Sequence, residues 1–357
     1  MMIWKNRLVF GGNGVKLAWK RGTALLLVLA IICGLCGCQK GKSIRFTTGL
    51  GDKELFKVGD EVCTRQEAMV FVLSQKKNYE RSYGKEIWDV KIYGETFSAY
   101  MRDNLQDFLA KMKCMVLMAD KYKVELNDEE KLRIEQAAET YFEGLPENVI
   151  QASGIGEPDV KTVFHDYYVS NKLMKQLTAD VSTEISEDEA RVITVQQIFL
   201  STENLSAEEK EAKRKTAQKV KEQADAGADF AVLGKNNNES ESFELQIGRG
   251  DTETQFENVA YALSTGQISE VVETAYGFHV IKCINNYDEQ ETAKHKTELA
   301  RKCKEDRFYE YYDAFVKTIV AEYNEKAWKT IDYGQEFGEP QADFYEVYDQ
   351  YFGAETY

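Results

Sequence analysis

The segment Tyr276–Cys283 reads YGFHVIKC and contains His279, one of only three histidines in the chain. A histidine can donate and accept hydrogen bonds, and it titrates near neutral pH, so it serves in many catalytic sites. The apolar residues around His279 predict a half-buried strand. A lone histidine in such a strand more often forms a hydrogen bond that supports the fold than it takes part in catalysis. The residues alone leave both roles open.

The elements that must position this strand follow from the apolar pattern. From residue 57 to about 178, helical spacing predicts a helix-rich region, which opens with a capping box from Thr64 to Glu67. From 191 to 287 the pattern predicts strand, helix, short helix, strand, short helix, strand and strand, an α+β unit. A long helix is predicted from Glu289 to about Trp328. The acidic, tyrosine-rich end predicts a mobile tail, although its aromatic residues could dock on the body.

Three segments of the middle unit share the pattern of one family. They are GADFAVLGKNN (227–237), GRG followed by QFENVAYALSTGQISEVVET (248–274), and YGFHVIKC. In order, spacing and residue type they resemble the parvulin family of peptidyl-prolyl isomerases. The flanking helical segments resemble, by pattern only, the arms of exported PrsA-type foldases and of the chaperone SurA. The resemblance implies an α+β fold, with a parvulin-like mixed sheet and surrounding helices inserted between all-α N-terminal and C-terminal arms.

The resemblance also implies a site. In parvulins, two histidines and a cysteine or aspartate lie at the floor of a pocket for the proline ring. His279 matches the last-strand histidine, whereas Gln197 replaces the first-strand histidine and Ser240 replaces the cysteine or aspartate. The implied catalytic residues are therefore His279, Ser240 and Gln197. The implied substrate-binding residues are Phe256, Thr252, Thr274 and Leu263, with Thr252 at a position where the family often has methionine.

The departures from the family pattern concern function more than fold. Gln197 and Ser240 can still form hydrogen bonds, but Ser240 cannot become an anion near pH 7. If hydrogen bonding suffices, isomerase activity persists at a reduced level; if a carboxylate or thiolate is required, activity is nearly lost. The resemblance therefore implies a peptidyl-prolyl isomerase that assists secreted chains, and a holdase chaperone on a weakened parvulin scaffold is the alternative. A solute-binding lipoprotein fits less well, because only one compact mixed unit is predicted.

The start of the chain has the character of a secretion signal. Five basic residues precede the apolar run TALLLVLAIICGLCG, whose 15 residues are fewer than the ~20 that a membrane-spanning helix needs. The run ends in Leu35-Cys36-Gly37-Cys38, which resembles the bacterial lipoprotein box and implies lipidation of Cys38. An uncleaved anchor and a plain signal peptide are the alternatives. We expect an extracytoplasmic protein that is lipid-anchored to the cell membrane.

The charge and the cysteines limit the partners. The chain has 45 basic and 60 acidic residues; loss of the five basic residues before Cys38 would leave 40 and 60, a net charge of −20. Such a surface argues against nucleic acid. The cysteines after Cys38 are far apart, which indicates no metal site, and we expect no cofactor. The expected partners are unfolded or proline-containing secreted polypeptides, the membrane through the lipid anchor, and a second copy in a homodimer.

The predicted domains follow these patterns in chain order. They are a signal peptide (1–37), a leader (38–56), a helical SurA/PrsA-like N-terminal domain (57–190), a parvulin domain (191–287), a C-terminal helical arm (288–330) and an acidic tyrosine-rich tail (331–357).

Overall fold

The structure, a computed structural model, describes residues 49–92, 94–338 and 342–353. The described residues before Val181 and after Asp306 form one compact unit, and Val181–Asp306 form a second. The predicted signal peptide and the predicted lipidation site, Cys38, lie outside the described residues.

The elements alternate between helix-rich and strand-containing stretches. In chain order they are β1 (Glu54–Val58), β2 (Glu61–Thr64), α1 (Arg65–Tyr83), a 3-10 helix (Lys85–Asp89), β3 (Lys91–Ile92), β4 (Glu95–Thr96), α2 (Phe97–Lys121), α3 (Asp128–Glu143), α4 (Glu147–Ser153), α5 (Glu157–Leu177), α6 (Glu187–Ala190), β5 (Ile193–Ser201), α7 (Ala207–Asp225), α8 (Phe230–Asn237), β6 (Glu244–Ile247), α9 (Thr254–Ala262), β7 (Val272–Glu273), β8 (Gly277–Asn285), α10 (Glu289–Val316), β9 (Ala321–Tyr323), α11 (Glu325–Trp328) and α12 (Phe344–Phe352).

The starts of the helices follow local capping chemistry. At α1, the Thr64 hydroxyl accepts from the backbone N–H of Glu67, and the Glu67 carboxylate accepts from the backbone N–H of Thr64. This reciprocal capping box satisfies two backbone donors that a helix end otherwise leaves unpaired. The same arrangement starts α3 at Asn127 and α7 at Ser206. The predicted start of α1 is confirmed.

The first unit contains a sheet whose third strand, β9, the sequence did not predict. Strands β2, β1 and β9 form a three-stranded antiparallel sheet, in which Phe56 of β1 lies opposite Tyr323 of β9. The expectation of all-α arms is therefore wrong in this respect. The predicted helix from Glu289 to about Trp328 ends at Val316, because the chain then extends to pair with β1.

The C-terminal residues also pack into the first unit. Helix α12 buries Phe344 and Tyr348 completely, and their rings lie 4.6 Å from Phe164 and 4.8 Å from Tyr167, measured between centroids. The expectation of a mobile tail is wrong for α12. Its aromatic residues bury enough apolar surface to outweigh the acidic composition of the segment, since one such side chain contributes roughly 1.5–3 kcal/mol.

The second unit is built on a four-stranded sheet in the order β6-β5-β8-β7. Every pairing in this sheet is antiparallel, which corrects the expectation of a mixed sheet. The predicted order of strands and helices in this unit is otherwise reproduced, and the α+β class is confirmed.

The two faces of this sheet bury different sets of residues. Ile198 and Val280 pack with residues of α7 and α8 on one face. Ile281 packs with Phe256 of α9 on the other face. Because side chains alternate along a strand, Gln197 and His279 share the face that α9 covers. The candidate site therefore lies between the sheet and α9.

Among the described residues, we find no helix whose length and apolar composition would let it cross a membrane. The thiols of Cys63, Cys114 and Cys283 are buried, whereas that of Cys303 is exposed.

Candidate functional site

His279 lies on β8 with only 9% of its surface exposed. Phe256 of α9 meets the imidazole edge to face, with ring centroids 5.1 Å apart and an interplanar angle of 76°. Phe199, directly opposite His279 in the β5–β8 ladder, places its ring 4.7 Å from the imidazole at 31°. The imidazole is thus held by two aromatic rings, one from a strand and one from a helix.

Both ring nitrogens of His279 have hydrogen-bond partners. Nδ1 lies 3.1 Å from Oε1 of Gln197, and Nε2 lies 3.1 Å from Oγ1 of Thr274. The amide nitrogen of Gln197 donates to the carbonyl oxygen of Ser242 at 3.2 Å. We refer to Thr274, His279, Gln197 and the Ser242 carbonyl as the His279 chain.

The directions of these hydrogen bonds follow from the end of the His279 chain. The Ser242 carbonyl can only accept, so the amide nitrogen of Gln197 faces it and the amide oxygen faces His279. The proton of the neutral imidazole therefore lies on Nδ1. Nε2 is left as an acceptor. The Thr274 hydroxyl has two acceptors for its single proton, Nε2 at 3.1 Å and the carbonyl oxygen of Gly277 at 3.3 Å. Each polar group of the His279 chain is satisfied with the imidazole neutral.

The surroundings also favour the neutral imidazole. Burial lowers the pKa of His279 to about 4, and the carboxylate of Glu253, at the N-cap position of α9, opposes this by a smaller amount. A buried base is harder to charge because the ion loses its hydration. Near pH 7, His279 carries no charge and offers the site a neutral dipole.

The hairpin between β7 and β8 holds Thr274 beside His279. The backbone N–H of Thr274 donates to the carbonyl oxygen of Gly277 at 2.9 Å. A Cβ on Gly277 would lie 2.1 Å from the backbone oxygen of Leu200, so no larger residue fits without a shift. The glycine before Phe278 is therefore required by the close approach of β5, a constraint that the letters YGFH did not reveal.

Ser240 does not reach the imidazole. Its hydroxyl oxygen accepts from the backbone N–H of Ser242 at 3.3 Å, and its carbonyl oxygen accepts from the Asn238 side chain at 2.9 Å. No hydrogen bond joins Ser240 to His279 or Gln197 in the part of the chain that the structure describes. Ser240 instead shapes the loop whose Ser242 carbonyl ends the His279 chain.

The remaining predicted residues lie around α9. Leu263 is 7% exposed and belongs with Phe256 to one apolar cluster, so it contributes to the wall beneath the site. The hydroxyl oxygen of Thr252 is buried and has no hydrogen-bond partner within the described residues. Contacts of Leu263 and Thr252 with a substrate stay predictions.

The structure adds residues that the sequence did not single out. Phe199 contacts the imidazole, Ser242 fixes the orientation of Gln197, and Gly277 lets the hairpin approach β5. Phe199 could have been found from the strand register, because it lies two residues after Gln197 and on the same face. The role of the Ser242 carbonyl depends on a loop conformation that no residue pattern indicates.

A separate cleft of about 420 Å³ lies in the same unit but contains none of the predicted site residues. Its lining comes from Leu200, Leu205, Glu209, Ala212, Lys213, Thr216, Asn236, Asn237 and Glu239. Within the described ranges, no cluster of three or more histidine, cysteine or acidic side chains is arranged to hold a metal ion.

Comparison with known proteins finds a family model that matches part of the second unit. Residues 198–285 match the family model described as Rotamase, the PPIC-type PPIASE domain. The chain is 29% identical over 171 residues to "Foldase protein PrsA 3" of Bacillus anthracis, a match that covers 46% of this chain and 56% of that protein. It is 24% identical over 276 residues to "Foldase protein PrsA" of Caldanaerobacter subterraneus, covering 74% and 82%. The chain spans less than two thirds of the Bacillus relative.

Solved structures give a weaker likeness. The crystal structure of the peptidylprolyl isomerase PrsA from Bacillus anthracis is 22% identical, with coverage of 59% of this chain and 94% of that one and a TM-score of 0.31. A SurA-like chaperone of Campylobacter jejuni is 10% identical, with coverage of 76% and 99% and a TM-score of 0.27.

Proposed function

We propose, from the premise that residues 198–285 form a PPIC-type rotamase domain, that this chain is a peptidyl-prolyl cis–trans isomerase. The observation that carries the proposal is the neutral His279 chain beside Phe256, on the sheet face that α9 covers. The proposed substrates are proline-containing segments of secreted polypeptides, and the protein would assist their folding.

The reaction requires no bond to break. An X-Pro bond prefers trans only weakly, but its rotation barrier is ~18–20 kcal/mol. A catalyst must bind the twisted amide more tightly than either planar form, and each 1.36 kcal/mol of this preference gives about tenfold. The twisted amide has lost its conjugation and is less dipolar than the planar amide. A site of aromatic rings and neutral dipoles favours that form.

The residues of the site then take distinct parts. Phe256 and the apolar wall that includes Leu263 accept the proline ring. Thr274 and Gln197 hold His279 in one orientation and one tautomer. His279 presents a neutral, polar edge to the twisted amide. Because both of its nitrogens are already hydrogen-bonded, its part is to shape and polarise the site without proton transfer to the substrate.

A second function, a holdase chaperone, has one observation in its favour. Ser240 supplies no anion, and its hydroxyl oxygen is engaged with its own loop instead of the imidazole. If isomerisation requires a charged partner of His279, the domain is a scaffold, and the protein would retain unfolded segments without speeding their isomerisation.

One experiment separates the two functions. The full chain, purified in detergent, is added to a proline tetrapeptide, and cis–trans exchange is followed by NMR. The isomerase proposal expects faster exchange, which His279→Ala abolishes and His295→Ala leaves unchanged. His295 is the matched control, since it lies in the same unit but outside the His279 chain, with its Nδ1 2.9 Å from the carbonyl oxygen of Ala190. No exchange with the wild type but exchange with Ser240→Asp would identify a scaffold that lost its charged partner.

We further propose that the chain acts outside the cytoplasm and is lipid-anchored through Cys38. The box Leu35-Cys36-Gly37-Cys38 after a basic and apolar leader supports this. Cys38→Ser should release the protein from sedimented membranes, and a variant that still sediments with lipid would contradict the anchor.

Homodimerisation through the helical arms stays a prediction, and the sedimentation coefficient of the full chain would test it.

A further inference from the structure

Tyr276, at the tip of the β7–β8 hairpin, is the most exposed large apolar side chain in the described ranges, with 65% of its surface accessible. A single exposed aromatic residue needs no explanation by itself. Tyr276 is of interest because its backbone is hydrogen-bonded to the candidate site. The backbone N–H of Tyr276 donates at 3.3 Å to Oγ1 of Thr274, the same oxygen that lies 3.1 Å from Nε2 of His279.

The backbone under this side chain is fixed. The carbonyl oxygen of Tyr276 accepts from the backbone N–H of Thr202 at 2.9 Å. On the following residue, Gly277, the hairpin packs so closely against Leu200 that no Cβ would fit. Tyr276 therefore projects an aromatic ring from a backbone held on both sides. A tyrosine in such a position offers a large contact area and loses little conformational entropy on binding.

Glu273, three residues before Tyr276 in the same hairpin, is already paired. The Glu273 carboxylate accepts from the Arg214 guanidinium at 2.7 Å, and that guanidinium lies 5.1 Å from the centre of the Phe278 ring. Near Tyr276, the hairpin thus offers an aromatic surface and compensated charges. This combination suits an apolar or aromatic side chain better than a charged one.

We propose that Tyr276 is a specificity-determining residue, whose ring packs against an aromatic or large apolar side chain adjacent to the proline of a bound polypeptide. The inference rests on the proposed function, because it assigns the substrate class of the same site. The preferred segments would have phenylalanine, tyrosine or leucine next to the proline.

The test compares the wild type with Tyr276→Ala and Tyr276→Phe, all as full chains in detergent. Two probes are titrated, a proline pentapeptide with phenylalanine on both sides of the proline and the same peptide with alanine at those positions. Dissociation constants and cis–trans exchange rates are both measured by NMR. Tyr287→Ala is the matched control, since Tyr287 is also exposed but follows the far end of β8 from His279.

We expect Tyr276→Ala to weaken binding of the phenylalanine peptide by roughly three- to tenfold, the range for loss of one aromatic contact. Binding of the alanine peptide should be unchanged. Tyr276→Phe should retain the preference, because the ring and not the hydroxyl makes the contact. Tyr287→Ala should match the wild type with both peptides.

The outcomes separate this inference from the proposed function. Equal effects of Tyr276→Ala on both peptides, or no effect on either, would overturn the inference even if exchange is catalysed. If the protein prefers the phenylalanine peptide through Tyr276 but does not speed cis–trans exchange, the inference is supported and the isomerase proposal is refuted. If the wild type binds neither peptide, both proposals fail.

Discussion

Acidification should expose the free-energy cost of burying His279. The pKa of this residue is lowered by burial to about 4, whereas an unfolded chain has the ordinary value of 6.5. Between those values the unfolded state binds more protons than the folded state, so stability falls as the pH falls. The stabilising effect of the neutral imidazole is fully present above pH 6.5 and is lost progressively as the pH falls towards 4.

The size of the effect follows from the two pKa values. Their difference corresponds to about 3 kcal/mol over the complete titration. At pH 4.5, where most but not all of the difference is realised, the loss should be about 2 kcal/mol relative to pH 7. Other carboxyl groups also titrate in this range, so the effect of His279 must be isolated by comparison with a variant.

The assay measures urea unfolding of the wild type and His279→Gln at pH 7 and pH 4.5. Glutamine preserves a hydrogen-bonding side chain but does not titrate. The wild type should lose about 2 kcal/mol more than His279→Gln on acidification, while the control His295→Gln should behave like the wild type. An NMR titration that placed the pKa of His279 near 6.5, or equal losses in the two proteins, would refute the reasoning.

Three further changes test the surroundings of the site and the packing of the tail. Glu253→Gln should lower the pKa of His279 further, because the Glu253 carboxylate favours the charged imidazole; an unchanged NMR titration would show that this carboxylate does not act on His279. Gly277→Ala should destabilise the second unit by several kcal/mol, since its Cβ would lie 2.1 Å from the backbone oxygen of Leu200, and urea unfolding would measure the loss. Phe344→Ala should destabilise the first unit by roughly 3–5 kcal/mol and expose the end of the chain to proteases, whereas equal proteolysis of variant and wild type would contradict the packing of α12.

Local signals predicted most of the fold. The capping box at Thr64 and the apolar pattern that follows it depend on residues within one helix, so the sequence contains all the information needed. Strand β9 is different. It has only three residues, and it exists because Tyr323 lies opposite Phe56, from a distant part of the chain. A strand this short has no detectable alternation, so its pairing could not be predicted from the residues.

Composition misled the prediction for the tail. The large number of acidic residues around α12 favours a disordered segment. The spacing of Phe344 and Tyr348, however, places them one helical turn apart on the same face of a helix. Both pack on aromatic residues from α5. A count of charges cannot show that a matching aromatic surface exists elsewhere in the chain, whereas the spacing of these two residues was a usable signal.

The sequence predicted which residue types form the site better than it predicted which side chains hydrogen-bond to each other. The resemblance indicated that His279, Gln197 and Thr274 would be neighbours, and the structure brings these three side chains together. It also indicated Ser240, whose hydroxyl oxygen instead bonds its own loop. The difference arises because strand register fixes which residues face each other, whereas the direction of a loop side chain depends on backbone angles that a motif does not specify.

The neutral His279 chain bears directly on the choice between isomerase and holdase. An isomerase that depended on a thiolate or carboxylate would need that group within hydrogen-bond distance of the imidazole, and the described residues place only Gln197 and Thr274 there. Any preference for the twisted amide must then come from neutral dipoles and from the shape of the site. Such a preference depends on the orientation of His279, so Thr274→Val, which removes the hydroxyl 3.1 Å from Nε2 but keeps the volume, should impair an isomerase. A holdase needs only apolar surface and should tolerate the same change.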